Sequence, residues 1–116
     1  MAAFRLAFAG LATLFRSQTH AWIHLVATVA VAAAGAICEV ERLEWCLLIF
    51  SMGLVWIAEA INTAIEFTVD LPSPEFHKTA GKAKDVAAGA VLLAAATAAT
   101  TGLIVLGPHL WRLVFP

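Results

Sequence analysis

The stretch that decides the fold is Val86–Leu106, V-A-A-G-A-V-L-L-A-A-A-T-A-A-T-T-G-L-I-V-L, which carries no charged side chain over twenty-one residues. A helix rises about 1.5 Å per residue, so about 20 apolar residues cross the hydrocarbon core of a bilayer. Two earlier stretches have the same apolar character, the second with polar interruptions. The sequence therefore predicts an all-α membrane domain over residues 1–116, with transmembrane helices at 21–37, 45–70 and 84–106. Gly107-Pro108 is expected to end the third.

The composition of the whole chain agrees with that interpretation. Of 116 residues, 62% are hydrophobic and 13% are charged, and the formal net charge is −1. Soluble domains contain about 45–50% apolar and about 25% charged residues. A soluble multidomain enzyme, a disordered tail and a basic nucleic-acid binder are therefore excluded as classes. We expect a lipid bilayer, and no nucleic acid, among the partners of this chain.

Residues 1–20 differ in character from the three spans. Phe4, Phe8, Leu11 and Phe15 recur at the spacing of one helical face, and the basic side chains fall on another. This pattern predicts an amphipathic helix lying in the membrane interface. A secretory signal peptide is the alternative, although its basic region would be thin and no clear cleavage site follows.

The basic residues also predict an orientation. Five of the seven lie on one side of the predicted membrane if the amino terminus is inside: Arg5, Arg16, Lys78, Lys82 and Lys84. Basic residues favour the cytoplasmic side, so the amino terminus and the 71–83 connection are expected there. Cys38 and Cys46 flank the outer loop, where a disulfide is conceivable but two free thiols are favoured.

The second span carries a stripe of polar side chains. Glu59, Asn62, Glu66 and Asp70 are spaced i, i+3, i+7 and i+11, which places them within roughly 80° of the helix circumference. A carboxylate at the centre of a span costs about 2.5 to 3.5 kcal/mol, so such a stripe is expected to line a hydrated functional cavity. Hydrogen bonding between helices is the alternative explanation.

The cytoplasmic connection that follows could complement this stripe. Carboxylates suit Mg²⁺, which is usually held by one or two of them together with substrate phosphates. Lys82 and Lys84, beside Gly81 at the start of a helix, could then cradle a polyphosphate, although simple membrane anchoring would also explain the lysines. The surrounding residues do not form a Walker A motif. His20 and His24 are spaced i, i+4 and could share a metal, but a packed or interfacial role is favoured.

Three segments of the chain resemble the bacterial diacylglycerol kinase and undecaprenol kinase family. They are Glu59-Ala-Ile-Asn-Thr-Ala-Ile-Glu66-x-x-x-Asp70, Glu75-Phe-His77 and Ala83-Lys84-Asp85. The sequence around Ser73-Pro-Glu-Phe-His77 and Lys84 resembles the undecaprenol kinase branch more closely than the diacylglycerol kinase branch. The resemblance implies a homotrimer of the bacterial cytoplasmic (inner) membrane, with active sites shared between subunits at the cytoplasmic interface. The implied reaction moves the γ-phosphoryl group of Mg-ATP to the hydroxyl of a membrane lipid.

The resemblance also implies roles for individual residues. Glu59 would be the general base and Glu66 a ligand of Mg²⁺. The nucleotide would be bound by a larger set: Asn62, Asp70, Glu75, His77, Gly81, Lys82, Lys84 and Asp85. The family's other metal-binding glutamate corresponds to Gln18 here, and a neutral amide binds Mg²⁺ more weakly.

Two other functions remain open from the sequence. A small proton-coupled transporter could use Glu59 as its membrane-embedded carboxylate, although it would not need Glu66, Lys84 and Asp85. A catalytically silent membrane subunit is favoured only by Gln18. The identity of the lipid, undecaprenol or diacylglycerol, cannot be read from these motifs.

Overall fold

The computed structural model describes residues 2–71 and 78–116, and these form four helices. Helix α1 spans Ala2–Ser17, α2 Thr19–Ile37, α3 Arg42–Val69 and α4 Lys78–Val114. The last three are long and apolar enough to cross a membrane, which confirms the predicted all-α fold with three membrane-spanning helices. All three extend beyond the predicted spans at one or both ends, and α1 ends at Ser17, so residues 19 and 20 belong to α2.

Helix α4 continues through the proline that was expected to end it. Its 37 residues run to Val114 with Pro108 inside the helix, so the predicted stop at Gly107-Pro108 is wrong. At about 1.5 Å per residue, α4 is about 55 Å long and exceeds the roughly 30 Å hydrocarbon core. Proline removes one backbone N–H donor. The helical turns on either side of Pro108 nevertheless continue the helix through it.

Helices α3 and α4 form the principal pair, and small residues bring them together. Ala94 and Ala98 are buried against Val55 of α3, in the alanine-rich stretch of α4. Small side chains let two helix backbones approach closely, which is how helices associate in a bilayer without a hydrophobic driving force. This packing fixes the register of the polar stripe of α3 against α4.

A second cluster closes the opposite end of the bundle. Val40, Leu48, Val105 and Leu106 are buried together, with Trp45 packed against them. The Trp45 ring lies on Gly35 of α2, where an added Cβ would sit 2.6 Å from a ring carbon. Glycine is therefore required at this crossing.

The turn after α2 reverses the chain tightly. The backbone N–H of Val40 donates to the Gly35 carbonyl over 3.2 Å, and that of Glu39 donates to Ala36 over 3.2 Å. Glu39 has φ 51°, the left-handed conformation that usually belongs to glycine at a helix C-terminus. Cys38 and Cys46 are free thiols, as favoured from the sequence.

Helix α1 lies against α2 and α3. Its Leu14 is buried at 3% exposure, while Phe4 and Phe8 are more than 60% exposed. Phe15 packs between Trp22 and Trp56, with ring centroids 5.6 and 5.3 Å away. One apolar face thus remains open along α1, as expected for a helix at a membrane surface.

Candidate functional site

A cavity of about 330 Å³ lies between α2, α3 and α4, and the carboxylates of α3 open into it. Its polar lining is His20 and His24 from α2 with Glu59, Asn62 and Glu66 from α3. Its remaining walls are apolar: Ile23, Ala88, Val91, Leu92 and Ala95. The structure therefore gathers the first three members of the predicted stripe at one cavity.

Glu59 is the most deeply buried charged residue in the described part of the chain, at 1% exposure. Its Oε2 lies 3.3 Å from Nε2 of His24. Its Oε1 is buried and has no hydrogen-bond partner among the described residues. Burying a carboxylate oxygen without a partner costs free energy, and such an atom can accept a hydrogen bond from an incoming donor.

Glu66 lies two turns further along α3 and is held by two amides. Gln18 Nε2 donates to Glu66 Oε2 over 2.9 Å, and Asn62 Nδ2 donates to Glu66 Oε1 over 3.3 Å. The Oδ1 atom of Asn62 is buried and has no partner in the part of the chain that the structure describes. Gln18 occupies the break between α1 and α2, so the fold brings this neutral residue to the place that the resemblance assigned it.

These side chains offer a cation oxygen donors rather than a closed cage. Among the described residues, no group of three His, Cys, Asp or Glu side chains could hold a metal. The available donors are the Glu66 carboxylate and the amide oxygens of Asn62 and Gln18. Such a set fits Mg²⁺, which keeps several waters and takes phosphate oxygens as further ligands.

Asp70 and Lys84 form a separate pair at the end of α3. Lys84 Nζ donates to Asp70 Oδ1 over 2.9 Å, with side chains 40% and 59% exposed. Exposed pairs of this kind contribute little to stability because water and salt screen the two charges. The pair lies outside the Glu59 cavity, so the structure does not bring all the predicted nucleotide residues together.

The other predicted residues lie near the start of α4. Lys82 lines an apolar groove of about 810 Å³ between α3 and α4, which Asn62 also lines. Gly81 lies in helical backbone with open space where a Cβ would be, and Asp85 is exposed. Glu75 and His77 lie outside the described residues.

His24 is the residue that sequence reasoning missed. We interpreted it as packed or interfacial, and the structure places it against Glu59 in the cavity. The signal was available, because His24 is the one ionisable side chain in the first predicted span. Ionisable groups inside a membrane usually pair with one another, so Glu59 was its natural partner.

Comparisons with known proteins bear on the family of the chain. The family model for prokaryotic diacylglycerol kinase matches residues 5–106. The chain belongs to that family. It is 40% identical to a diacylglycerol kinase of Synechocystis over 98% of this chain and 66% of the relative. It is 37% identical to the undecaprenol kinase of Bacillus subtilis, over 82% and 77%.

A third relative, the diacylglycerol kinase of Escherichia coli K12, is 42% identical over 61% of this chain and 58% of its own length. The chain thus spans less than two thirds of the Synechocystis and E. coli relatives. The family and these relatives are lipid kinases, which confirms the family that the motifs indicated. Nothing in the comparisons supports the proton-coupled transporter.

Proposed function

We propose that this membrane protein transfers the γ-phosphoryl group of ATP to the hydroxyl of a membrane lipid. The observation that carries the proposal is Glu59, a carboxylate that lines the cavity and whose buried Oε1 has no hydrogen-bond partner within residues 2–71 and 78–116. Phosphoryl transfer depends on positioning and on neutralising charge, and needs one group to accept the hydroxyl proton. The family supplies the reaction class, and Glu59 supplies an atom suited to that step.

The proposed chemistry has one proton acceptor. The lipid hydroxyl oxygen attacks the γ-phosphorus, a new O–P bond forms, and the bond from the γ-phosphorus to the bridging oxygen breaks so that ADP leaves. Glu59 takes the hydroxyl proton through Oε1. A base positioned in this way typically contributes about 10²- to 10⁴-fold to a rate.

Glu66, Asn62 and Gln18 are proposed to hold Mg²⁺, which when bound would neutralise charge on the phosphates. The oxygen donor set and the partnerless Oδ1 of Asn62 support this assignment. Because Gln18 is neutral, this site has one carboxylate fewer than the family pattern, so we expect it to need a higher Mg²⁺ concentration.

The phosphates and the rest of the nucleotide are proposed to lie toward the start of α4. Lys82 and Lys84 stand there as cations, and Asp70 holds the Lys84 ammonium 2.9 Å away. The further nucleotide-binding residues proposed from the motifs are Gly81, Asp85, Glu75 and His77. An exposed lysine that exchanges a weak surface partner for a phosphate loses little stabilisation in doing so.

The lipid is proposed to be undecaprenol or diacylglycerol, presented from the bacterial inner membrane with the active site on its cytoplasmic side. The apolar groove that Asn62 and Lys82 share supports a lipid substrate, because its walls suit a hydrocarbon chain. We further propose a homotrimer with shared sites. The support is that Asp70 and Lys84 are not among the residues that line the Glu59 cavity of one chain, so a neighbouring subunit could complete the site.

The test is a side-by-side phosphorylation assay on purified protein in detergent. Radiolabelled ATP and Mg²⁺ are supplied with diacylglycerol or with undecaprenol, and the lipid product is separated and counted. We expect labelled lipid phosphate from at least one of the two. Absence of transfer to either lipid alcohol would contradict the proposal and leave the silent membrane subunit.

A further inference from the structure

The contact between His24 and Glu59 has no role in the phosphoryl transfer proposed above. It joins α2 to α3 inside the cavity, with His24 Nε2 lying 3.3 Å from Glu59 Oε2. The side chains are 17% and 2% exposed, so both are largely withdrawn from solvent. An ionisable pair at this depth is costly unless its geometry is held in place.

The two oxygens of Glu59 are thereby distinguished. Oε2 has His24 as its partner, whereas Oε1 is buried and has none among the described residues. An ionised carboxylate only accepts hydrogen bonds, so in the ionised form that the proposed base role requires, Glu59 would accept at Oε2 from the His24 ring. His24 therefore fixes one oxygen and leaves the other for an incoming hydroxyl.

The His24 ring is itself held by neighbouring groups. It lies edge-on to Trp56, with centroids 6.2 Å apart. The Trp56 indole donates to Thr28 Oγ1 over 2.9 Å, and the Thr28 hydroxyl donates to the His24 backbone carbonyl over 2.7 Å. Trp56 and Thr28 thus tie α3 to the turn of α2 that carries His24.

We propose that His24 is a positioning residue, which orients the Glu59 carboxylate so that Oε1 receives the lipid hydroxyl proton. This inference rests on the proposed lipid kinase function and adds a residue to it. A misplacement of about 1 Å in a catalytic group can cost about 10²-fold in rate, so a side chain that aims the base should act on kcat.

The chain provides a matched control at its other end. His109 Nε2 lies 3.0 Å from Glu44 Oε2, which is a second histidine–glutamate contact between helices. Glu44 lies fifteen residues before Glu59 on α3, about 22 Å along the helix axis, so His109→Leu removes the same kind of contact without touching Glu59. We expect it to keep the wild-type kcat.

The activity test compares three variants in the lipid kinase assay. His24→Leu is expected to lower kcat about tenfold or more, because the Glu59 carboxylate loses its orientation. The KM for ATP should stay within about threefold of wild type, because nucleotide binding is not affected. His24→Gln places an amide donor near the same position and should recover most of the rate. In a Glu59→Gln background, His24→Leu should cost nothing further.

Two kinetic results would overturn the proposal. One is a His24→Leu enzyme whose kcat stays within about twofold of wild type. The other is an equal loss from His24→Leu in the wild-type and Glu59→Gln backgrounds, since coupled residues are non-additive. If His24→Leu does not fold, His24→Gln becomes the deciding variant. A His24→Gln kcat as low as that of Glu59→Gln would also contradict the positioning role.

A spectroscopic measurement separates this inference from the kinase proposal. In protein labelled with ¹⁵N-histidine, Glu59→Gln should shift the His24 ring signals and leave those of His109 unchanged. Unchanged His24 signals would refute the contact itself. An inactive wild-type protein that shows the shift would refute the kinase function and leave the pairing standing.

Discussion

At the scale of single residues, the carboxylates of α3 differ in their surroundings rather than in their chemistry. Glu59 is buried with one free oxygen, Glu66 is held by two amides, and Asp70 is exposed beside Lys84. Burial raises the free-energy cost of a charge, and existing hydrogen bonds limit which further partners a carboxylate can accept. By these criteria Glu59 is suited to proton transfer, Glu66 to cation binding and Asp70 to surface pairing.

Gln18 offers a test of the proposed cation site. Gln18→Glu places a second carboxylate beside Glu66, so we expect the Mg²⁺ concentration for half-maximal activity to fall by about tenfold, equivalent to about 1.4 kcal/mol. Without Mg²⁺, the two like charges should lower thermal stability. A magnesium titration of activity checks the first effect, and an unchanged or higher requirement would contradict the cation assignment.

Lys84 should matter for the nucleotide and hardly for the fold. Lys84→Met removes an exposed ion pair that solvent screens, so the unfolding temperature in detergent should change little. The KM for ATP should rise at least several-fold because a phosphate partner is lost. Asp70→Asn, which breaks the same pair and keeps the lysine, is the control, and equal ATP kinetics in the two variants would remove Lys84 from the nucleotide site.

At the scale of helices, Gly35 and Trp45 make a close contact at one end of the bundle. Gly35→Ala puts a methyl group 2.6 Å from the Trp45 ring, and we expect it to destabilise by about 1 to 3 kcal/mol, as overpacking does. Gly53→Ala meets nothing within 4 Å and should be neutral or slightly stabilising. Thermal unfolding of both in detergent makes the comparison, and equal effects would contradict the Gly35–Trp45 packing.

The turn between α2 and α3 should be improvable. Glu39 has φ 51°, where a side chain is strained and glycine is not. Glu39→Gly is expected to raise stability by about 1 kcal/mol or less, and Glu39→Gln should leave it unchanged because the strain comes from the backbone. Thermal unfolding of the two variants checks this, and a loss of stability in the glycine variant would contradict the left-handed turn.

The helices could be predicted from the sequence because apolar length and charge pattern are local. The helix ends could not, and the break at Gln18 and the continuation through Pro108 both depend on neighbouring packing. Within the site, the stripe spacing predicted that Glu59, Asn62 and Glu66 share a face. The spacing alone does not show that His24 and Gln18 reach that face, since those contacts depend on how the preceding helices cross α3. Gln18 came from the resemblance, and for His24 the available signal was a lone ionisable side chain within a span.

At the scale of the whole molecule, eight of the fifteen charged residues lie within residues 59–85, where the reaction is proposed, and four of the others lie within residues 39–44. The three long helices expose large apolar side chains to the surroundings, as a bilayer requires. Two of the three acidic residues of α3, Glu59 and Glu66, lie in the half that ends at Val69. Lysines lie at the start of α4. A short membrane chain can therefore present both a buried base and a surface for phosphates.

The expected orientation is testable by thiol labelling in cells. Cys38, in the turn after α2, should react with a membrane-impermeant reagent from outside in a Cys46→Ser background. A single cysteine at position 78 (Lys78→Cys, with Cys38 and Cys46 replaced by Ser) should react only after permeabilisation, because basic residues favour the cytoplasmic side. The reverse pattern would contradict the proposed placement of the site.

The measurement that bears most directly on the central claim is the rate of lipid phosphate formation by Glu59→Gln. Glutamine keeps the size of the side chain and cannot take a proton, so we predict a fall of at least about 10²-fold in kcat with helical content unchanged. Glu39→Gln, the same exchange at an exposed turn, should retain the wild-type rate. A Glu59→Gln enzyme with a kcat within a few-fold of wild type would contradict the assignment of Glu59 as the base.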